Sequence, residues 1–156
     1  MYTVESEDPS SADGSALIEA LSDALARITG SDGRLSFDPG DVQGPRARFV
    51  VARAESGIPV GCGAFRPMGE AVAEVKRMYA APGTVGVGSA VLAHLESEAA
   101  KLGYSELWLE TRIVNARAVA FYEHRGYSRI PNFGKYVGRA EAICLAKRLP
   151  ATATDG

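Results

Sequence analysis

The sequence is poor in the residues that form disulfides and bind metals. Among its 156 residues it has two cysteines and two histidines. Cys62 and Cys144 are too few for a disulfide framework, and each lies in an apolar run, so we expect both to be buried, reduced thiols. His94 and His124 have no metal-ligand spacing relative to either cysteine, and we therefore expect no metal site.

The sequence also lacks an excess of either charge and any long hydrophobic run. Its 17 Lys and Arg residues against 19 Asp and Glu residues leave a net charge of −2, which provides no basic field for nucleic acid or anionic lipid. No stretch approaches the ~20 apolar residues that span a bilayer, and the acidic residues 1–14 do not resemble a signal peptide. We expect a cytoplasmic protein that binds neither nucleic acid nor membrane, with one domain over residues 1–150 and a disordered tail over residues 151–156.

Hydrophobic periodicity divides the chain into helices and strands. Apolar residues recur at helical spacing in three segments, each followed by a glycine, over residues 15–29, 86–102 and 115–125. Strand-like runs cover residues 48–53, 58–66, 71–80, 106–111, 127–130 and 141–147, and residues 31–46, rich in Gly, Asp and Pro, indicate a long loop. Because hairpin-linked strands come first and strands alternate with helices later, we expect a mixed α/β fold: a largely antiparallel sheet of about six to seven strands with helices on both faces.

A glycine-rich turn, GTVGVGS, joins the strand over residues 71–80 to the helix over residues 86–102. Glycines let the backbone approach a ligand, and the free amides of a first helical turn attract an anion such as a diphosphate; packing alone is the competing explanation. The turn continues with Ser89 and no lysine, so it is not a P-loop. A dinucleotide fingerprint stays an alternative, with Glu110 at a distance suited to a ribose contact, although Val91 occupies the position of its third glycine.

Two motifs stand out in the stretch from Val60 to Arg148. The first is the strand AEVKRMYA, which leads through a proline into the Gly-x-Gly turn. The second is N-x-x-A-x-x-x-Y, formed by Asn115, Ala118 and Tyr122 and followed by Gly-Tyr. About 30 residues separate the turn from the second motif, and with this order and spacing the stretch resembles the GCN5-related N-acetyltransferases. The segment RIPNFGKY and the cysteine-bearing strand after it are similar to the small-molecule acetyltransferases of the superfamily.

The resemblance implies acetyl-CoA as co-substrate. The turn amides hold its pyrophosphate in that family, and the end of the preceding strand lines its pantetheine arm. The residues that the resemblance assigns to acetyl-CoA binding are Met78, Tyr79, Ala80, Val85, Gly86, Val87, Gly88, Ser89, Asn115 and Tyr122.

The turn departs from the family pattern in one respect. The family has Arg or Gln where Gly83 stands, and the stretch from Pro82 to Gly86 is about two residues short. Because that Arg or Gln helps to bind the pyrophosphate, a charged residue outside the turn has to replace this contact. Arg117 and Lys101 are the candidates.

The resemblance also assigns the chemistry. The Met78 amide, freed by a splayed sheet, polarises the thioester carbonyl, and Tyr122 donates a proton to the leaving thiolate. Glu74 lies four residues before Met78 on the same strand face, ~13 Å away, and relays the ammonium proton through water. The competing expectations are an ordinary ladder strand, a tyrosine that only packs, and a solvated glutamate paired with Lys76 or Arg77.

Four residues, Arg66, Tyr127, Phe133 and Tyr136, lie in segments that border the acceptor cleft of the family. Arg66 is either a partner for a substrate carboxylate or a surface residue, and we expect the aromatic residues to pack. The sequence thus predicts transfer of an acetyl group from acetyl-CoA to a primary amine of a small molecule by direct transfer. A catalytically silent acyl-CoA-binding module and a dinucleotide-binding domain are the alternatives, and a homodimer is left open.

Overall fold

The structure is a computed structural model, which describes residues 1–30 and 42–150 of the chain. Seven strands and three α-helices follow one another along these residues. They are β1 (Thr3–Ser6), α1 (Ala12–Thr29), β2 (Arg48–Arg53), β3 (Pro59–Pro67), β4 (Val72–Ala80), α2 (Val87–Lys101), β5 (Glu106–Arg112), α3 (Ala116–His124), β6 (Ser128–Ile130) and β7 (Ala142–Arg148), with a 3₁₀ turn at Gly134–Tyr136.

The strands form one sheet in the order β1-β2-β3-β4-β5-β7-β6. All neighbours are antiparallel except β4 and β5, which are parallel. The predicted fold class is therefore confirmed: the sheet is mixed and largely antiparallel, and it has seven strands. The predicted strands and helices agree with the observed ones within a few residues at each end.

Alternation of side chains along the strands gives the sheet an apolar core on each face. One core lies under α2, and it includes Val50, Phe65, Val91, Leu95, Leu107 and Leu145. The other lies under α1, and it consists of Leu17, Val42, Phe49, Val51, Cys62 and Ala64. Helices thus cover both faces, as predicted. Gly63 permits the close approach of α2, because a Cβ atom there would lie 2.6 Å from Val91 Cγ1.

One strand was not predicted from the sequence, and two predicted segments fall wholly or mostly outside the described residues. The sequence reading had no strand before α1, yet β1 pairs with β2 from Thr3 opposite Arg53 to Ser6 opposite Val50. Most of the loop predicted over residues 31–46, namely residues 31–41, lies outside the described residues, and so does the tail predicted over residues 151–156. No helix in the two described ranges is long and apolar enough to cross a membrane.

The sheet opens at its centre. β4 and β5 pair over only three positions, from Val72 opposite Glu106 to Glu74 opposite Trp108. Beyond Glu74, β4 has no partner residue in β5, whereas β5 stays paired with β7 along its whole length. The two parallel strands therefore diverge towards the end of β4, and this gap positions the candidate site.

Candidate active site

The gap between β4 and β5 forms one wall of a cavity of about 530 Å³. Side chains from α1, β4, β5, α3 and the segment before β7 surround it, so five separate parts of the chain converge here. The residues around the cavity that carry the argument below are Glu74, Lys76, Met78, Glu110, Tyr122 and Tyr136.

Met78 lies at a bulge in β4. The β3–β4 register shifts between Cys62, opposite Tyr79, and Ala64, opposite Lys76, so two residues of β4 face one of β3. Arg77, the first residue of the bulge, has a φ of 60°, the left-handed region that side chains other than glycine seldom adopt. Because Met78 has no partner residue in β3 or β5, the alternative of an ordinary ladder strand does not describe this part of β4.

Tyr122 reaches the cavity from α3. Its ring is buried and packs edge-on against Phe121, with centroids 5.2 Å apart, and against Tyr127, at 5.7 Å. Its hydroxyl forms no hydrogen bond with any described residue, although buried phenols usually have a partner. Burial raises the pKa of Tyr122 above its usual value, so the phenol stays protonated across the physiological range. Tyr122 therefore packs and also presents a proton donor to the cavity.

Glu110 faces the same cavity from β5. Its side chain is only 15% exposed, and Arg112 Nε is its ion-pair partner, 3.8 Å from Oε2. That Oε2 atom is buried and accepts no hydrogen bond from a described residue. Burial is the main cause that raises the pKa of Glu110, and Glu74 adds to the rise while Arg112 opposes it. A buried carboxylate with a raised pKa and a vacant acceptor lone pair is suited to accept a proton.

Glu74 is the most buried charged residue among those described, at 2% exposure. Arg66 Nη2 and Nε lie 2.9 and 3.0 Å from its Oε1, and the Tyr136 hydroxyl donates to its Oε2 over 2.9 Å. The expectation of a solvated glutamate paired with Lys76 or Arg77 was wrong, because the register sets Glu74 opposite Arg66. Both predicted roles for Arg66 give way to this ion pair.

The turn between β4 and α2 presents free amides. Gly86 is the N-cap residue of α2 in the left-handed conformation, with φ 83°, and no side chain caps the helix. The first turn of α2 has no acidic residue, so its backbone N–H groups are available to an anion. Packing contributes at Gly88, where a Cβ atom would meet the Phe121 ring at 3.2 Å. The two explanations of the glycines therefore both apply: an exposed helix start at Gly86, and packing at Gly88.

Arg125, which follows α3, brings a cation to this turn. Its guanidinium donates a hydrogen bond to Ser89 Oγ and lies over the Phe121 ring, 4.8 Å from the centroid. Lys101, one of the two cations considered from the sequence, is at the opposite end of α2, about 22 Å along a helix of 15 residues, and pairs with Glu98. No contact with the turn is found for Arg117 within the described residues.

The remaining predicted cofactor residues occupy two places. Asn115 is the N-cap of α3, where its side chain accepts a hydrogen bond from Ala118 N, and it also borders the cavity. Tyr79, Ala80 and the turn over residues 85–89 continue from the end of β4 beyond the cavity. The aromatic residues Tyr127 and Phe133 are buried, as expected of packing residues.

Neither cysteine belongs to the site as a nucleophile. Cys62 and Cys144 are free and buried, which confirms the sequence expectation. Burial raises the pKa of Cys62 to about 12, and its Sγ donates to the backbone oxygen of Arg77. Within residues 1–30 and 42–150, no group of three or more metal-ligating side chains is arranged to hold a metal ion.

From the sequence, Glu110 was predicted only as a possible ribose contact, and Arg125 was assigned no role. Glu110 ends the segment ELWLE, on the strand that precedes the Asn-Ala-Tyr motif. This position was a sequence signal for a role of its carboxylate. Arg125 left no signal, because only the packing of α3 against α2 brings it to Ser89.

Known proteins resemble this chain in sequence and fold. A family model described as the acetyltransferase (GNAT) family matches residues 14–127. The chain is 37% identical over 123 residues to an IAA acetyltransferase from Azospirillum brasilense, covering 77% of this chain and 80% of that enzyme. Over 65 residues it is 42% identical to the ribosomal protein bS18 alanine N-acetyltransferase of Escherichia coli, covering 39% of this chain and 44% of that enzyme.

The fold comparison agrees. A solved structure from Klebsiella pneumoniae, named as an acyl-CoA N-acyltransferase, superposes with a TM-score of 0.80 at 30% identity, covering 96% of this chain and 99% of the other. The dinucleotide-binding alternative is excluded, because the strand before the glycine turn is antiparallel to β3 and parallel to β5 over only three positions. Since the family model covers most of the chain and a relative at 37% identity covers 77% of it, the chain belongs to the acetyltransferase (GNAT) family.

Proposed function

We propose that the chain transfers an acetyl group from acetyl-CoA directly to the amine of a small molecule. The observation that carries this proposal is the meeting of two groups in one cavity: the Tyr122 hydroxyl without a hydrogen-bond partner among the described residues, and the buried Glu110 oxygen without one. A proton donor and a proton acceptor are the two groups that amine acylation by a thioester requires.

The residues of the turn and of α2 fit a coenzyme A diphosphate. Free amides at the start of α2, the absence of an acidic residue in its first turn, and the Arg125 guanidinium at Ser89 all favour an anion there. Arg125 brings a diphosphate-binding cation to the turn from the end of α3, whereas the family has Arg or Gln within the turn. When bound, acetyl-CoA would supply, as a thioester, the acetyl group that is transferred to the amine.

The chain's own groups then divide the proton transfers. Glu110 accepts the proton that the amine loses as its nitrogen forms a bond to the acetyl carbon. Tyr122 donates a proton to the sulfur as the carbon–sulfur bond breaks, and solvent restores its proton afterwards. We assign the polarisation of the acetyl carbonyl to the backbone amide of Met78, a residue of the bulge without a partner residue in β3.

We assign Glu74 a positioning role in place of the predicted water relay. Its carboxylate already accepts hydrogen bonds from Arg66 and Tyr136, and these contacts hold β3, β4 and the 3₁₀ turn together beside the cavity. Glu110 has a buried oxygen that accepts no hydrogen bond from a described residue, so we assign the base role to Glu110.

The test measures release of free thiol from acetyl-CoA with a panel of small amines and short peptides. We expect thiol release that depends on the amine and that falls by about 10²–10⁴-fold in Tyr122→Phe, the typical contribution of a general acid. Binding of coenzyme A in calorimetry without thiol release for any amine would support the silent acyl-CoA-binding module. Turnover only with peptides would overturn the small-molecule part of the proposal.

A further inference from the structure

Lys76 is a cationic residue that borders the cavity. It is on β4, on the same strand face as Glu74. Its side chain is partly buried, and it forms no hydrogen bond or ion pair with any residue in the described ranges. Burial lowers the pKa of Lys76 from its usual value, because a less hydrated environment disfavours the charged ammonium group.

The charges around Lys76 do not compensate for this burial. Lys135, Arg77 and Arg66 each act on it as like charges. Glu74 is the anion that favours its charged form, but that carboxylate is already held by Arg66 at 2.9 Å. A desolvated cation among other cations is unfavourable unless an anion joins it, so the arrangement suits a bound anion.

More cationic groups stand at the rim of the same cavity. Lys135 and Arg139 are exposed there, and Arg112 is half-buried beside Glu110. The carboxylates at the cavity are Glu74, which is paired with Arg66, Glu110, which is beside Arg112, and the exposed Glu141. Among the described residues that line the cavity, five lysine and arginine residues therefore face three carboxylates.

We propose that the acceptor is an amino acid or a similar small amine that also carries a carboxylate, and that Lys76 binds this carboxylate. Lys76 precedes Met78 by two residues, directly before the bulge, and both side chains line the same cavity. One small molecule can therefore place its carboxylate at Lys76 and its amine near the bulge. This inference rests on the proposed function and names its substrate class.

The first experiment compares acceptors that differ only in the anion. Thiol release from acetyl-CoA is measured with each of the twenty amino acids, with their C-terminal amides, and with an alanyl tripeptide. We expect at least one free amino acid to exceed its amide by tenfold or more in kcat/KM. Amides that match or exceed the acids, or a preference for the tripeptide, overturn the carboxylate assignment and leave acetyl transfer intact. Absence of turnover with every amine instead overturns the proposed function, and this inference with it.

The second experiment removes the cation. Lys76→Met keeps the length of the side chain without its charge, and we expect it to raise the KM of the preferred amino acid by tenfold or more. The KM of the matching amide and the dissociation constant of coenzyme A should change less than twofold. Lys76→Arg should restore most of the affinity. Lys101→Met, a change at an exposed lysine at the far end of α2, is the control. Equal effects of Lys76→Met on acid and amide contradict the proposal.

Discussion

Replacement of Glu110 by glutamine tests the base assignment and its energetic cost together. Burial raises the pKa of Glu110 above its ordinary value of 4.5. Between pH 4.5 and the raised pKa of Glu110, the folded chain binds more protons at this site than the unfolded chain does. The free energy of unfolding therefore falls as pH rises through this window and stays reduced above it, by about 1.4 kcal/mol for each unit of the shift.

Glu110→Gln removes this loss, because glutamine has almost the same shape and no charge to bury. We expect the variant to be more stable than the parent at pH 7, and the difference to vanish below about pH 4, where the parent carboxyl is also neutral. The Arg112 ion pair, at 3.8 Å, offsets part of the gain. Thermal melts from pH 4 to pH 8 measure the difference directly. A variant less stable than the parent at pH 7 would show that burial does not disfavour the Glu110 charge.

The same variant is expected to lose activity. Glutamine cannot accept the amine proton, so kcat/KM should fall by about 10²–10⁴-fold. The parent should lose activity at low pH as Glu110 becomes protonated, and the variant should lack this low-pH limb. Thiol release is measured from pH 5 to pH 9, with Glu141→Gln, a change at an exposed carboxylate of the same cavity, as the matched control. Parent-like turnover with an unchanged pH profile would refute the base role of Glu110.

Four further changes test the other parts of the site. Tyr122→Phe should lower kcat by about 10²–10⁴-fold and leave the dissociation constant of coenzyme A within twofold, since only the proton donor is lost; unchanged turnover with chemistry rate-limiting would contradict the acid role. Arg125→Met should weaken coenzyme A binding by about tenfold in calorimetry, with a smaller effect at high salt because screening weakens the parent contact; equal affinity would remove Arg125 from the cofactor site. Tyr2→Phe deletes the 2.7 Å hydrogen bond to the carbonyl oxygen of Val85 and should raise the same dissociation constant by up to about fivefold, the value of one net hydrogen bond. Glu74→Gln should lower the free energy of unfolding by about 1–3 kcal/mol in denaturant melts, because the Arg66 contact loses its anion; a loss of the low-pH limb here, and not in the Glu110 variant, would return the base role to Glu74.

The fold was predictable where its signal is local. Helical spacing of apolar residues and a following glycine located the three α-helices of the described residues. The observed α1 ends at Thr29, and Gly30 is its C-cap, with φ 79° and an N–H that donates to Ala26 O. β1 was missed for the opposite reason. Thr3–Ser6 is four residues long and mostly exposed, and Val4 is its one apolar residue, so it becomes a strand through its pairing with β2. Its neighbour Tyr2 then bonds the glycine turn, a contact across 83 positions that no local pattern encodes.

The candidate site was predictable in part. As in the fold, residues set by local sequence patterns could be predicted, and those set by strand pairing could not. Tyr122 and the glycine turn are set by motifs within single elements, so their placement could be anticipated. The bulge in β4 could not, because Arg77 adopts a positive φ without being a glycine, a conformation that the surrounding pairing imposes. The partners of Glu74 depended on the β3–β4 register, which places Arg66 opposite it and which the sequence alone left undetermined.

The missing charge in the glycine turn illustrates why a motif is an incomplete description of a binding site. In the family, the Arg or Gln that helps to bind the pyrophosphate is part of the turn. Judged by this motif alone, a sequence with Gly83 at that position has lost a contact. An anion at the start of α2, however, responds to the charge near it and not to the position of that charge in the sequence. Arg125 is 36 positions away from Ser89 and still donates to its hydroxyl, while the Phe121 ring supports the guanidinium from below and contacts Gly88 in the turn itself. The close packing of the Phe121 ring against Gly88 is thus the packing that carries α3, and the cation at its end, to the turn.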